Sequence, residues 1–120
     1  LCDRFIDSTI VYQGYASSIK KSILTNLHKN FCYNLYPDLT FFLDLDPSLG
    51  LKRTKKRSNY KDENRFENYG LDYHQKISKG FNNLAKNNKE RIITIDANDT
   101  IENISKQIIN FINLKLKINV

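Results

Sequence analysis

Twelve residues near the start of the sequence concentrate groups able to hold a phosphate and a base: Asp3-Arg4-Phe5-Ile6-Asp7-Ser8-Thr9-Ile10-Val11-Tyr12-Gln13-Gly14. A carboxylate beside a guanidinium offers a metal-facing group and a fork that binds phosphate through two parallel hydrogen bonds. Ser8 and Tyr12, like Thr9 and Gln13, stand four residues apart, so a helix beginning here gathers them on one face. Groups of the Thr9 and Gln13 kind can read the hydrogen-bonding edge of a base, and a ring such as Tyr12 can wall off a sugar. Standing alone, an Asp-Arg pair is more often a surface pair ahead of a capped helix. Taken as a whole, the string is far more specific than the pair.

A second chemical segment is Gly50-Leu51-Lys52-Arg53-Thr54-Lys55-Lys56-Arg57, with Lys61 and Arg65 beyond it. Five basic residues in six positions usually form a solvated face or a nucleic-acid patch. A third is Asn64-Arg65-Phe66-Glu67, where a carboxylate near a helix start reads first as a partner of the helix dipole. A fourth is Ile93-Thr94-Ile95-Asp96-Ala97. His28 and His74 have no partner at metal or triad spacing and read as structural or solvated. Cys2 and Cys32 form no CxxC pair and read as buried, reduced thiols.

The elements that must position these groups alternate. Leu39 to Asp46 is a nearly continuous apolar run, the pattern of a strand in a parallel sheet covered on both faces. Pro47 stops it and suits a first helical position, with Asp46 as the cap. Arg91 to Asp96 is rich in β-branched residues and predicts a second strand. Asp99 with Glu102 resembles a capping box, and Ile101, Ile104, Ile108, Phe111 and Ile112 then repeat at helical spacing. Ile19 to Phe31 and Phe66 to Ala85 show weaker helical patterns, and Leu1 to Arg4 reads as the end of a strand. Strands alternating with helices imply an α/β fold with a parallel sheet. In such sheets ligands bind beyond the carboxyl ends of the strands, which points to Asp3-Arg4, Asp46 to Arg65, and Asp96 to Asp99 as the borders of one cleft.

Composition sets the outer bounds. The 120 residues suit one small domain or part of a larger one, and 12 % aromatic content argues against disorder. The net charge of +6 favours an anionic partner without choosing among nucleotides, nucleic acids and acidic membranes. No apolar run approaches the ~20 residues of a membrane span, and nothing at the start reads as a signal peptide, so a cytoplasmic protein is expected.

The first string resembles the DR(Y/F/H)xxSxxAYQG segment of thymidylate kinases almost residue for residue. Pro37-Asp38-Leu39-Thr40, Leu43-Asp44-Leu45-Asp46-Pro47 and Gly50-Leu51-Lys52-Arg53 are similar to that family's PDLT, LDV and GLKR segments leading into the LID. Asn64-Arg65-Phe66-Glu67 is like its DR(I/F/Y)E, with Asn64 in place of the usual Asp. Tyr73 to Ala85 resembles its FFxRVRxGYxxLA packing helix, and Ile95-Asp96-Ala97 its IDA turn.

This resemblance implies a P-loop NTPase-like three-layer α/β/α parallel sheet, truncated at its N-terminal side. It also implies transfer of the γ-phosphoryl group of ATP to dTMP, with Mg²⁺ as cofactor; another P-loop nucleoside or nucleoside monophosphate kinase is the alternative. It implies that Arg4 holds the phosphate region, that Thr9 and Gln13 lie against the thymine edge with Ser8 also binding dTMP, and that Tyr12 crowds the 2′ position. Phe66 and Glu67 would approach dTMP. Arg53 would flank adenine beside Ala97, and Arg57 the ATP phosphates. Asp3, and with it Glu67, would lie on the metal side. The LID would run over about 53–66, supplying positive charge to the transferring oxygens while excluding water. Partners would be small molecules rather than nucleic acid or membrane, and the enzyme a homodimer. No GxxxxGK[ST] occurs in the sequence, so the resemblance covers about the last three-fifths of a complete enzyme, and the 120 residues alone are expected to be inactive.

Overall fold

The computed structural model describes residues 1–55 and 69–117. Its sheet consists of β1 (Thr40–Asp44) and β2 (Ile92–Asp96), paired in parallel from Thr40 opposite Ile92 to Asp44 opposite Asp96. Both strands are shorter than the apolar runs that predict them. The Asp46 carboxylate accepts from the amides of Ser48, at 2.9 Å, and Leu49, at 3.3 Å. It therefore caps α3 (Pro47–Lys55) and turns the chain out of the sheet, as expected of an aspartate before a proline. Leu1 to Arg4 forms no strand, contrary to expectation. Arg4 takes the left-handed backbone conformation, φ 68°, which breaks extended geometry.

Successive strand residues face opposite sides. Phe42 stacks on Phe81 of α4 (Leu71–Lys86), with centroids 5.1 Å apart. Its neighbour Phe41 lies 6.5 Å from Phe111 of α5 (Ile101–Leu116). A helix therefore covers each face of the parallel pair, the layering that the sequence implies.

The helix after the Asp-Arg pair is split into α1 (Ile6–Thr9) and a π-helical segment, Ile10–Ala16. Ile6, Ile10 and Val11 from these pieces form the core with Ile77, Leu84 and Ala85 of α4 and Ile92 of β2. Close approach depends on Gly80, because a Cβ there would stand 2.9 Å from Val11 and 3.0 Å from the Tyr15 ring.

α2 (Lys21–Phe31) buries Leu24 and His28. The His28 Nε2 meets the Leu35 carbonyl at 2.5 Å, and its ring sits edge-on to Phe5 and Tyr36; it is a structural histidine. Both cysteines are free, but contrary to expectation Cys2 is exposed and Cys32 only partly buried, since each lies outside the regular elements that form the core.

Thr100, not Asp99, caps α5 by accepting from the Asn103 amide at 3.2 Å. Asp99 accepts instead from the Asn103 side chain and the Thr100 amide. The apolar face of α5 is only half covered: Ile104, Ile108 and Ile112 are half-buried, and Ile101 is 82 % exposed.

Candidate functional site

Arg4, Phe5, Ser8, Thr9, Tyr12 and Gln13 line one cleft of about 330 Å³. The first string thus converges as its spacing predicts, although half of it is not α-helical. Arg4 lies over the Tyr12 ring, 5.1 Å from its centroid, and Tyr12 meets Phe81 of α4 edge-on at 6.3 Å. The arginine is therefore backed by an aromatic face that attracts its charge. Phe5 is fixed from behind by His28.

A π-turn leaves carbonyls without the usual partner four residues on, and such turns gather at functional sites. Here the Ser17 hydroxyl donates to the Tyr12 carbonyl at 2.9 Å, and the Ile19 amide to the Gln13 carbonyl at 2.9 Å. The wider winding is thereby stabilised while Tyr12 and Gln13 stay on the cleft. Thr9 is exposed, and its hydroxyl lies 3.5 Å from the Phe5 carbonyl, leaving its lone pairs available to a ligand. These described residues offer one positive charge, three hydroxyls (one of them phenolic), one amide and two rings.

A second group forms beyond the carboxyl ends of the strands. Arg53 of α3 donates to the Ala97 carbonyl at 3.1 Å and to Asn98 Oδ1 at 3.2 Å. The Ala97 amide donates to the Asp44 carbonyl at 2.8 Å, which ties this turn to the end of β1. Two segments that sequence reasoning assigned to the same end of the sheet are therefore joined by one guanidinium. Asn98 is an addition that the residue pattern did not single out.

A third group was not legible at all. Asp7, 6 % exposed, receives both terminal nitrogens of Arg91 at 2.7 Å. Thr40 donates to Asp7 at 3.0 Å and accepts from Arg91 at 3.0 Å. Donating to the Asp7 carboxylate raises the Arg91 guanidinium above its ordinary value, against the opposing effect of burial. Asp7 read locally is only an acid in the first turn of a helix, and nothing in spacing joins it to a partner 84 residues away.

Arg57, Phe66 and Glu67 lie outside the described residues, as does most of the segment 53–66. Asp3 is exposed, and among the described residues no three His, Cys, Asp or Glu side chains converge. No helix among the described residues is long and apolar enough to cross a membrane.

The family model for thymidylate kinase matches residues 1–108. A thymidylate kinase of Orientia tsutsugamushi (strain Ikeda) is 38 % identical over 122 residues, covering 99 % of this chain and 56 % of that protein. One of Trichodesmium erythraeum (strain IMS101) is 43 % identical over 116 residues, covering 97 % and 50 %. The crystal structure of thymidylate kinase from Ehrlichia chaffeensis superposes with a TM-score of 0.63 at 28 % identity, over 92 % of this chain and 46 % of that one. The chain spans about half the length of the curated relatives it matches. With the motif string, the layered parallel sheet and these matches in agreement, the chain belongs to the thymidylate kinase family.

Proposed function

We propose that the complete protein containing this chain transfers the γ-phosphoryl group of ATP to dTMP, giving dTDP and ADP. The observation that carries this reading is the cleft in which Arg4 stands beside Ser8, Thr9, Tyr12 and Gln13. In this reading Arg4 binds the dTMP phosphate and neutralises charge on the transferring group. Thr9 and Gln13 address the thymine edge, Ser8 contributes to dTMP binding, and Tyr12 fills the space a 2′-hydroxyl would need. Such groups act mainly by positioning and electrostatics, because phosphoryl transfer asks little covalent chemistry of the protein.

Arg53, held over the Ala97 turn, flanks the adenine of ATP. Arg57 approaches the ATP phosphates, and Phe66 and Glu67 approach dTMP from a LID of about 53–66. Mg²⁺ on the nucleotide, with Asp3 and Glu67 on its side, would supply charge neutralisation of the phosphates. The chain forms the C-terminal part of a single kinase domain. It acts in the cytoplasm as a homodimer, a reading supported by Ile23, Leu27 and Phe31, which are exposed at four-residue intervals along α2. The 120 residues alone are inactive in this reading, since they hold no phosphate-cradling GxxxxGK[ST] loop.

A coupled ADP-release assay tests it. The complete protein is expected to turn over with ATP and dTMP, and the 120-residue chain to stay at background. Absence of turnover by the complete protein with dTMP rejects the reading.

A further inference from the structure

The cleft rests on a short piece of helix with little to hold it locally. α1 has four residues, and Phe5 before it makes no side-chain cap bond. It runs straight into the π-helical segment Ile10–Ala16, and a helical stretch of that combined length is marginal by itself, so its orientation comes from tertiary ties. Arg4, the one charged group among the described residues that line the cleft, sits in the left-handed conformation at φ 68°. A non-glycine residue there is strained and persists only where its surroundings determine it.

Asp7 supplies the polar part of those surroundings. It follows Arg4 by three residues and directly precedes Ser8 and Thr9. Its carboxylate is bound by both terminal nitrogens of Arg91 and by the Thr40 hydroxyl. Arg91 is the residue before β2, and Thr40 is the first of β1. The two are joined through the backbone as well, the Thr40 amide donating to the Arg91 carbonyl at 2.9 Å. Both anchors of Asp7 therefore belong to the rigid start of the sheet. Ile6, 2 % exposed, is the adjoining apolar anchor in the core.

We propose that Asp7, clamped by Arg91 and Thr40, is a positioning residue: it fixes the turn that aims Arg4 and the Ser8-Thr9 hydroxyls into the acceptor cleft. The clamp touches no reacting atom. Its effect is to hold one wall of the cleft in register with the sheet, so its loss is felt at the acceptor and not at the donor. This proposal rests on the acceptor reading of the cleft given above.

A clamp that merely stabilised the fold would behave differently from one that positions. Removing one partner of a buried pair leaves an uncompensated charge and destabilises, whereas replacing both by neutral groups restores much of the stability. The test therefore uses the complete protein with four variants, Asp7→Asn, Arg91→Lys, Thr40→Val and the neutral double variant Asp7→Asn/Arg91→Met. For each, steady-state KM for acceptor and for ATP, kcat and the thermal midpoint are measured. Whichever nucleoside monophosphate the unmodified protein phosphorylates serves as acceptor, so failure with dTMP rejects the functional reading while leaving the clamp open to measurement.

The double variant is expected to regain most of the thermal midpoint lost by Asp7→Asn. Its acceptor KM nevertheless stays raised by about tenfold, the scale of one charge-assisted hydrogen bond, with the KM for ATP within about twofold. Arg91→Lys, which keeps the charge and loses the fork, is expected to lie between parent and double variant. Recovery of acceptor KM along with stability in the double variant overturns the proposal, as does an equal change in both KM values. Should the double variant fail to fold, Thr40→Val decides: a rise in acceptor KM of a few-fold alone supports the clamp, and an unchanged acceptor KM overturns it.

Discussion

Arg4 combines a strained backbone, a charge held over a ring and a place on the cleft wall. Strain of that kind typically costs about 1–3 kcal/mol and is found where a side chain must be aimed. Its removal therefore costs function more than stability. In the complete protein, Arg4→Ala is expected to lower kcat/KM for dTMP by tenfold or more, from about 1.5–3 kcal/mol per charge-assisted contact, with the thermal midpoint little changed. A kcat/KM within a few-fold of the parent contradicts the phosphate role. Arg4, Ser8, Thr9, Tyr12 and Gln13 were legible because their chemistry is local, each within a helical turn or two of the next. Asp7 was not, since its meaning comes from Arg91, brought near only by the fold.

At the scale of elements, α4 and the π-helical segment approach each other closely at Gly80. Val11 has no exposed surface, so it cannot yield to an added methyl at Gly80. Gly80→Ala is expected to destabilise the complete protein by about 1–3 kcal/mol through overpacking, read as a shift in the denaturant midpoint; a neutral effect contradicts the packing described.

The start of α3 carries a pH signature. Hydrogen bonds from the Ser48 hydroxyl and then from the Leu49 and Ser48 amides hold the Asp46 carboxyl below its ordinary 3.8. A carboxylate with a lowered folded value stabilises at pH above its unfolded value and loses that contribution as pH falls through the folded one. The gap in thermal midpoint between the parent and Asp46→Asn is thus expected to be full above pH 3.8 and to close below it. A gap that widens on acidification contradicts the cap.

Pro47 and the β-branched run before Asp96 made this cap and β2 readable. The π-helix was not readable, because Ile10 to Ala16 has the same apolar spacing whether wound tightly or loosely. The winding is decided by Ser17 and Ile19, which accommodate the freed carbonyls. The α5 cap moved by one residue for a similar reason: Thr100 and Asp99 can both serve, and the extended backbone at Thr100 decides.

For the whole molecule, the two halves of the site are built differently. In the proposed reading, the acceptor cleft is made by one continuous segment and held by Asp7, Arg91 and Thr40, and the donor side is assembled by Arg53 reaching across to Ala97 and Asn98. Such a division predicts that acceptor selectivity follows the short string. The most direct measurement compares kcat/KM of the complete protein for dTMP, dCMP, UMP and thymidine at saturating ATP. A site whose hydrogen-bonding groups match one base and sugar rejects the others by at least about a hundredfold, so dTMP is predicted to lead by that margin. Equal turnover of the four, or preference for another acceptor, contradicts the account.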